Sequence, residues 1–380
     1  MERGDKMQIT ITAKIQILPN KEQKLQLQVT LSSIKKSLNT VSDIVFLTKE
    51  FSQPKLHKLT YEILRHDYAL KSQMAQSVMK TVVAKYKSAK SNKHELNKVV
   101  FKKPEYDLVW NRDYSLVNGL FSVNSLNGRI KVPYRQEGMD QYFDGSWKFG
   151  TAKLVFKHDK FFLHIPTTKE IEDFLIRDVK NVVGIDLGIN FLATSYDSSN
   201  KTEFYHGRHI KHKRANYSKS RKELQQRQTP SSRGRLRLIG QRENRWMTDV
   251  NHQVSKALVN SAGQNSILVL EDLTGVRNAT EKVQLKNRYV FVSWGFYQLR
   301  QMIEYKSKLN RSLIIAVDPK YTSQKCPQCG HTEKANRDKK NHIFTCKNCT
   351  YTSNDDRIGA MNLRNIGIKY VHAELIKQAP

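Results

Sequence analysis

The sequence predicts a multidomain α+β protein: a β domain broken by a run of helices, then an α/β domain that carries a small cysteine-rich insert. Three observations carry this prediction. A strand-like alternation at the N-terminus is followed by helical spacing from about residue 20 to 90 and then by hairpin patterns. After residue 181, short apolar strands alternate with helical segments. All four cysteines fall between Cys326 and Cys349. At 380 residues the chain is longer than one compact core usually organises.

The opening strand is Ile9, Ala13, Ile15 and Ile17, with Ile11 in phase and Thr10, Thr12, Lys14 and Gln16 facing the other way. Pro19-Asn20 ends it. Leu27, Leu31, Ile34, Leu38, Val41 and Val45 then recur at helical spacing. A second helical stretch, about 58–89, has Leu59, Ile63, Tyr68, Met74, Val78, Val82 and Tyr86 as its apolar stripe. Strands return over 119–134, where Asn127-Gly128 predicts a two-residue hairpin turn, because both residue types accept positive φ. A further hairpin is predicted over 153–165 around His158-Asp159. One strand before the helices and several after them imply a β domain with a helical insertion.

The α/β part begins with the strands Val182-Val183-Gly184-Ile185 and Phe191-Leu192-Ala193-Thr194 and resumes at 266–270 and 313–317. Leu224, Leu236, Leu238, Val254, Leu258 and Val259 mark helices between them, and the polar stretch Thr229 to Gly234 reads as an exposed loop.

Charge narrows the function. There are 65 Lys and Arg against 35 Asp and Glu, a net charge of +30. Residues 201–250 alone hold 14 basic against 4 acidic side chains. Such a surplus suits a polyanion, because neutralising phosphates releases counterions. The longest apolar run, Leu313 to Val317, is far short of the roughly 18 residues of a membrane span. The polar stretch Met1 to Met7 shows no secretory signal. With no cysteine elsewhere, a disulfide scaffold is excluded and a reducing, cytoplasmic location is expected.

Cys326-Pro327-Gln328-Cys329 and Cys346-Lys347-Asn348-Cys349 are two Cys-x-x-Cys knuckles, 16 residues apart. Each sets two thiolates on one tight turn, and two knuckles make a tetrahedral sulfur site suited to zinc. A pair of redox motifs is the alternative, which the spacing disfavours. Four protein ligands close the site, so the zinc is expected to be structural. Gly330 follows the second cysteine, where the turn favours positive φ.

Three acidic positions stand out. Asp186 lies within an apolar strand, and Glu271 ends the strand Ile267-Leu268-Val269-Leu270. A carboxylate in such a place is costly unless paired or metal-bound. Asp355-Asp356 opens a segment with Ala360, Leu363 and Ile366 at helical spacing. Singly, each is as well explained by a turn or a helix cap. Together, two strands and a helix could bring three carboxylates around two divalent cations, and magnesium is the ion that all-oxygen ligands favour.

Here the sequence resembles the TnpB family, transposon-encoded RNA-guided DNA nucleases related to type V CRISPR effectors. The residues that carry the resemblance are Gly184-Ile-Asp186-Leu-Gly188, Leu270-Glu271-Asp272-Leu273, Tyr321 through Gly330 and Asp356-Arg-Ile-Gly-Ala-Met-Asn362. The segments Trp147 to Val155 and Leu18 to Gln23 also fit. The order acid, acid, cysteine insert, acid is more specific than any one motif. Asp356 rather than Asp355 matches the family's register, with Ala360 and Asn362 in place; Ile358 and Gly359 depart from its usual Asn and Ala.

The resemblance implies a RuvC-like nuclease of the RNase H fold over 179–320 and 352–380, with a zinc ribbon at 321–351 that binds target nucleic acid. It implies a wedge β-barrel over 1–20 and 96–178, interrupted by a helical recognition domain at 21–95. Asp186, Glu271 and Asp356 would be the catalytic magnesium ligands, and Cys326, Cys329, Cys346 and Cys349 the zinc ligands. The partners implied are a guide RNA from the transposon end (omega or right-end RNA) and double-stranded DNA beside a short transposon-adjacent motif. No membrane partner is expected, and the location would be nucleoid-associated in a prokaryote. The competing readings are a guided DNA binder without cleavage, a transposase, and a zinc-ribbon DNA-binding protein.

Other features are weaker. His206, His209 and His212 read as part of a basic segment rather than a metal site, since no carboxylate or cysteine accompanies them at ligand spacing. His252 could lie near a cleft or simply pack. Tyr106, Trp110, Tyr114 and Phe121 could stack bases, though core packing is the commoner use. Thr322, Ser323 and Gln324 could bond nucleic acid or set the turn before the first knuckle.

Overall fold

The computed structural model describes residues 6–93, 97–188, 190–272 and 295–378. The chain divides into two compact units, Gln8–Glu170 and Met1–Met7 with Ile171–Pro380.

In the first unit, β1 (Lys6–Ile17) buries Ile9, Ala13, Ile15 and Ile17, as the alternation predicts. Helix α1 (Lys21–Thr48) starts on a capping box: Asn20 Oδ1 accepts from Gln23 N at 2.8 Å, and Gln23 Oε1 accepts from Asn20 N at 3.2 Å. The whole predicted stripe from Leu27 to Val45 is buried.

The second helical stretch is in fact two helices, α2 (Gln53–His66) and α3 (Ser72–Ser91). The break at 67–71 contains Ala69 at φ 52°. It resets the phase: α2 buries Leu56, Thr60 and Leu64, leaving the expected Leu59 exposed, while Met74, Val78, Val82 and Tyr86 of α3 are buried as read.

The strands that follow are β2 (Glu105–Leu108), β3 (Tyr114–Val117), β4 (Leu120–Ser125), β5 (Gly128–Arg135), β6 (Lys148–Phe149), β7 (Ala152–Lys157) and β8 (Lys160–Glu172). The sheet order is β2-β7-β8-β1-β5-β4-β3, with β6 on β8. Strand β1 thus sits between strands that come after the helices, so the helices interrupt one sheet. The β7–β8 turn is His158-Asp159, both at positive φ, as expected. The other hairpin pairs Ser125 with Gly128, so its turn residues are Leu126 and Asn127, one place earlier than Asn127-Gly128. Gly128, at φ 125°, instead opens β5. Tyr106, Tyr114 and Phe121 are core, and Trp110 packs edge-on against Tyr114 and Phe149.

The second unit is built on a five-stranded sheet of order β11-β10-β9-β12-β13: β9 (Asn181–Asp186), β10 (Phe191–Tyr196), β11 (Thr202–His206), β12 (Ser266–Glu271) and β13 (Leu313–Val317). β9, β12 and β13 run parallel, whereas β10 and β11 are antiparallel. Both faces are covered, which explains the unbroken apolar strand sequences. On one face Val183, Ile185, Leu268 and Leu270 meet α5 (Pro230–Ala262) and α6 (Phe296–Leu309). On the other, Val182, Ile267 and Val269 meet Leu363 and Val371 of α7 (Asp355–Lys377). A Cβ at Gly184 would lie 2.0 Å from the Ala360 carbonyl oxygen, so only glycine lets α7 press this closely on β9.

Helix α4 (Arg208–Arg227) precedes α5 in the basic region. The loop expected at Thr229–Gly234 is instead the start of α5, with Thr229 as N-cap and Pro230 at the first helical position, a place where a missing N–H costs nothing. The segment is nonetheless largely exposed, as is Leu238. No helix of the described residues is long and apolar enough to cross a membrane.

Candidate functional site

Among the described residues, two groups of metal-ligand side chains have donor atoms within 4.8 Å of one another. One is Cys326, Cys329, Cys346 and Cys349; the other is His342, Asp355 and Asp356. His206, His209 and His212 belong to neither and are solvent-exposed on β11 and α4. His252 is likewise exposed, on α5.

The cysteines sit on two matched turns. In the first, Gly330 N donates to Cys326 O at 3.0 Å and Cys326 N to His331 O at 2.8 Å. In the second, Thr350 N donates to Cys346 O at 3.0 Å and Cys346 N to Tyr351 O at 2.9 Å. Gly330 has φ 77°, as its position predicts, and Thr350 takes the equivalent φ of 59° despite its side chain. Cys326 Sγ lies 3.6 Å from Cys349 Sγ, and Cys329 Sγ 3.5 Å from Cys346 Sγ. A tetrahedron with metal–sulfur bonds of ~2.3 Å has edges of about 3.8 Å, so the thiols stand close to a four-sulfur zinc geometry. Three short strands, β14 (Arg337–Asp338), β15 (Ile343–Thr345) and β16 (Thr352–Asn354), complete the insert. Phe344 and Ile358 of α7 are buried against Cys326 and Cys346.

The three singled-out acids lie at one end of the five-stranded sheet, near enough for Glu271 and Asp356 to act on Asp186, although Asp186 and Glu271 belong to neither of the two close groups. Ile185 is paired with Leu270 across the parallel β9–β12 ladder, so Asp186 and Glu271 leave adjacent strands side by side. Helix α7 brings the third. Asn354 caps it, its Oδ1 accepting from Asp356 N at 3.0 Å and Arg357 N at 3.1 Å. Asp355 and Asp356 therefore occupy the first turn, where the helix dipole favours negative charge. Gly359, one turn on, leaves room for Asp186: a Cβ there would be 3.1 Å from its carboxyl carbon.

Burial raises all three carboxyls, and Asp186 also feels the other two. Desolvation raises Asp186 well above the ordinary carboxylate range, and the charges of Glu271 and Asp356 raise it further. Glu271 is also raised by burial, against the pull of a hydrogen bond from Thr322. Asp356 is raised by burial and then by Asp355. Arg337 is the one guanidinium that opposes all three shifts. An oxygen-donor cluster this short of positive charge fits a hard divalent cation, which would favour the ionised forms.

Thr322 and Asn362, both inside the quoted motifs, and Arg337, which no motif singled out, hold the cluster. Thr322 Oγ1 donates to Glu271 Oε1 at 2.5 Å, and Asn362 Nδ2 fixes that segment by donating to Thr322 O at 2.7 Å and Lys325 O at 2.8 Å. Arg337 comes from the cysteine insert. Its Nε donates to Asp355 Oδ2 at 2.7 Å, its Nη1 to Ser323 Oγ at 3.0 Å, and its Nη2 lies 3.8 Å from Asp356 Oδ1. The only sequence hint of Arg337 was its place between the knuckles. Asp272 pairs with Arg300 of α6 at 2.9 Å, and Leu273 lies outside the described residues.

The basic region forms the α4–α5 hairpin. Glu243 is buried between Arg214 and Arg221, while Lys211, Lys219, Arg233, Arg237 and Arg245 face solvent. Two helices thus share an internal charge network and present an external cationic surface.

Two family models match the chain: a probable transposase (OrfB_IS605) over residues 176–280 and a Cas12f1-like TNB domain over residues 296–363. A CRISPR-associated endodeoxyribonuclease Cas12f1 of Syntrophomonas palmitatica is 27% identical over 60% of this chain and 47% of its own length. A TnpB-like protein of Methanocaldococcus jannaschii is 26% identical over 60% of this chain and 82% of its own. The putative RNA-guided DNA endonuclease InsQ of Escherichia coli is 27% identical over 63% and 62%. The chain spans 47% and 58% of the first two curated relatives it matches. Among solved structures, a Cas12f1 in complex with sgRNA and target DNA aligns at TM-score 0.58 and 11% identity, over 95% of this chain and 99% of the other. The mini-RNA-guided endonuclease CRISPR-Cas_phi3 aligns at TM-score 0.58 and 12% identity, over 97% and 93%. At these identities the likeness is one of fold.

Proposed function

We propose that this chain is a member of the TnpB family and an RNA-guided, magnesium-dependent endonuclease that cleaves double-stranded DNA beside a short transposon-adjacent motif, a reading its family models and curated relatives support. The observation that carries the reading is the placement of Asp186, Glu271 and Asp356 at one sheet end, where burial raises all three carboxyls and Asp186 is raised further by the charges of the other two.

The five-stranded sheet with α7 reads as a RuvC-like nuclease of the RNase H fold, 179–320 and 352–380, supported by two carboxylates at the ends of adjacent parallel strands. The segment 321–351 reads as a zinc ribbon, its four thiols holding a structural ion. The sheet of the first unit reads as a wedge barrel, and the helices at 21–95 as a recognition domain. A reducing cytoplasm, at the nucleoid of a prokaryote, suits four free thiols.

In the acid cluster, Asp186, Glu271 and Asp356 would hold two magnesium ions. When bound, these supply a hydroxide at neutral pH and charge to stabilise the leaving oxygen. The chain's own residues prepare that site. Thr322 fixes the rotamer of Glu271 through a hydrogen bond anchored by Asn362. Gly359 leaves the Asp186 carboxylate its place. Arg337 offsets part of the repulsion and ties the ribbon to the acids. The exposed lysines and arginines of α4 and α5 would grip phosphates, with base pairing by the guide RNA reading most of the target.

The test is cleavage of a matched duplex by the purified RNA–protein complex with magnesium. Asp186→Ala is expected to lose cutting and keep binding. Robust cutting by that variant rejects the assignment. Binding without cutting by the unaltered protein would mark a guided repressor, and guide-independent strand transfer a transposase.

A further inference from the structure

We infer that His342, Asp355 and Asp356 form a cation site of their own, suited to a divalent transition ion and adjoining the three acids. It shares Asp356 with the magnesium cluster and rests on that reading only there.

Asp355 is fully buried, yet its Oδ1 has no hydrogen-bond partner. His342 Nδ1 likewise makes no hydrogen bond, and the two atoms face each other at 3.4 Å, an ion pair only when the imidazole is protonated. A buried carboxylate oxygen without a hydrogen bond is costly, and with the imidazole neutral a cation between the two atoms would compensate it. A cation ~2.1 Å from both atoms would fit that separation at a bond angle of about 108°. A carboxylate oxygen of Asp356 lies within 4.8 Å of both and supplies a third ligand.

The surroundings are those of a built site, in which each ligand is oriented by an outer partner. Arg337 engages the opposite oxygen of Asp355, Oδ2, and so directs Oδ1 toward His342. Arg337 Nη2 also lies 3.8 Å from Asp356 Oδ1, and its charge opposes a cation there. His342 Nε2 lies 2.5 Å from Asn190 Nδ2, so ligation through Nδ1 requires the Asn190 amide to turn and present its oxygen to the Nε2 proton. The backbone is held as well: His342 O accepts from Asp355 N and from Asn354 Nδ2, each at 3.3 Å. The ligands thus come from the β14–β15 connection and the first turn of α7, locked by the β15–β16 ladder.

One imidazole nitrogen with two carboxylates favours manganese, cobalt or zinc over magnesium, which takes oxygen ligands. This separates the site chemically from the three-acid cluster, whose donors are all oxygen.

The probe is Mn²⁺ added to the full chain, zinc-loaded and freed of nucleic acid. Pulsed electron paramagnetic resonance is expected to show a directly coordinated imidazole nitrogen. That coupling should vanish in His342→Ala, weaken or vanish in Asp355→Asn, which preserves shape, and persist in Asp186→Ala. Absence of the nitrogen coupling in the unaltered protein overturns the inference, as does its survival in His342→Ala. A lowered melting temperature in His342→Ala without any nitrogen coupling in the parent would make His342 an ion-pair partner of Asp355 instead. Failure of DNA cutting with the coupling intact would sink the nuclease reading and leave this site standing.

Discussion

The cysteine cluster and the acid cluster lie within one unit and are built in opposite ways. The four thiols come from two turns 16 residues apart, each turn closing on its own backbone hydrogen bonds. The acids come from β9, β12 and α7, separated by most of the second unit's chain. The thiols rest on local geometry, whereas the carboxylates are gathered and buried by a sheet and a helix, with Asp186 raised by the charges of the other two. One cluster should therefore contribute stability through its ion, and the other should cost stability until an ion arrives.

The largest test of that contrast is Cys326→Ser. Structural zinc sites contribute on the order of 10 kcal/mol of apparent binding energy, which here is folding energy for the insert. Hydrogen exchange should show loss of protection over 321–354, with the helices and sheet of Gln8–Glu170 unchanged. Since Arg337 and Thr322 reach the acids from this segment, DNA cutting should fall to background as well. Retained protection would show that the insert folds without its ion.

Asp186→Ala should abolish cutting yet raise the melting temperature of magnesium-free protein. The sign follows from linkage: the folded state holds the Asp186 proton more tightly than the unfolded chain, so this group's contribution to stability is present at low pH. It is lost as pH rises from near the ordinary value of 3.8 through the raised folded value. Melting curves from acid to neutral pH should show that decline in the parent and a flatter profile in the variant. Magnesium should reverse the decline in the parent alone. An unchanged or lower melting temperature in the variant breaks the comparison.

Glu243 offers a third case, a buried carboxylate already neutralised by side chains, Arg214 and Arg221. Replacing it with Gln leaves two guanidiniums facing each other and should cost about 3 kcal/mol in urea unfolding, independent of magnesium. A magnesium-dependent loss would mean the α4–α5 hairpin is coupled to the acids.

The smallest expected effect is that of Thr322→Val. It removes one hydrogen bond to Glu271, about 1 kcal/mol, and should slow cutting roughly fivefold with target binding unaltered. A weakened target affinity would instead assign Thr322 to nucleic-acid contact.

How much of this was legible depends on the range of the interaction. The end of β1 at Pro19-Asn20, the stripe of α1, the His158-Asp159 turn and the knuckle glycine are each set within a few residues, and the structure agrees with them. The misreadings were also local, but they turned on phase. Ala69 breaks a helix where composition gave no Gly or Pro signal, Asn127 turns one place early, and Thr229-Pro230 starts a helix although its residues are polar.

The sequence by itself determined the strands, the long helices, the thiol knuckles and the identity of the acids worth watching, because periodicity and turn chemistry are properties of neighbouring residues. Only the tertiary structure decided which groups surround those acids. Thr322, Arg337, His342 and Asn190 reach their partners across 51, 18, 13 and 152 positions of chain, respectively. Contacts of that span leave no period in the sequence, since they are created by the packing of α7 on β9 and β12 and exist only once that packing is made.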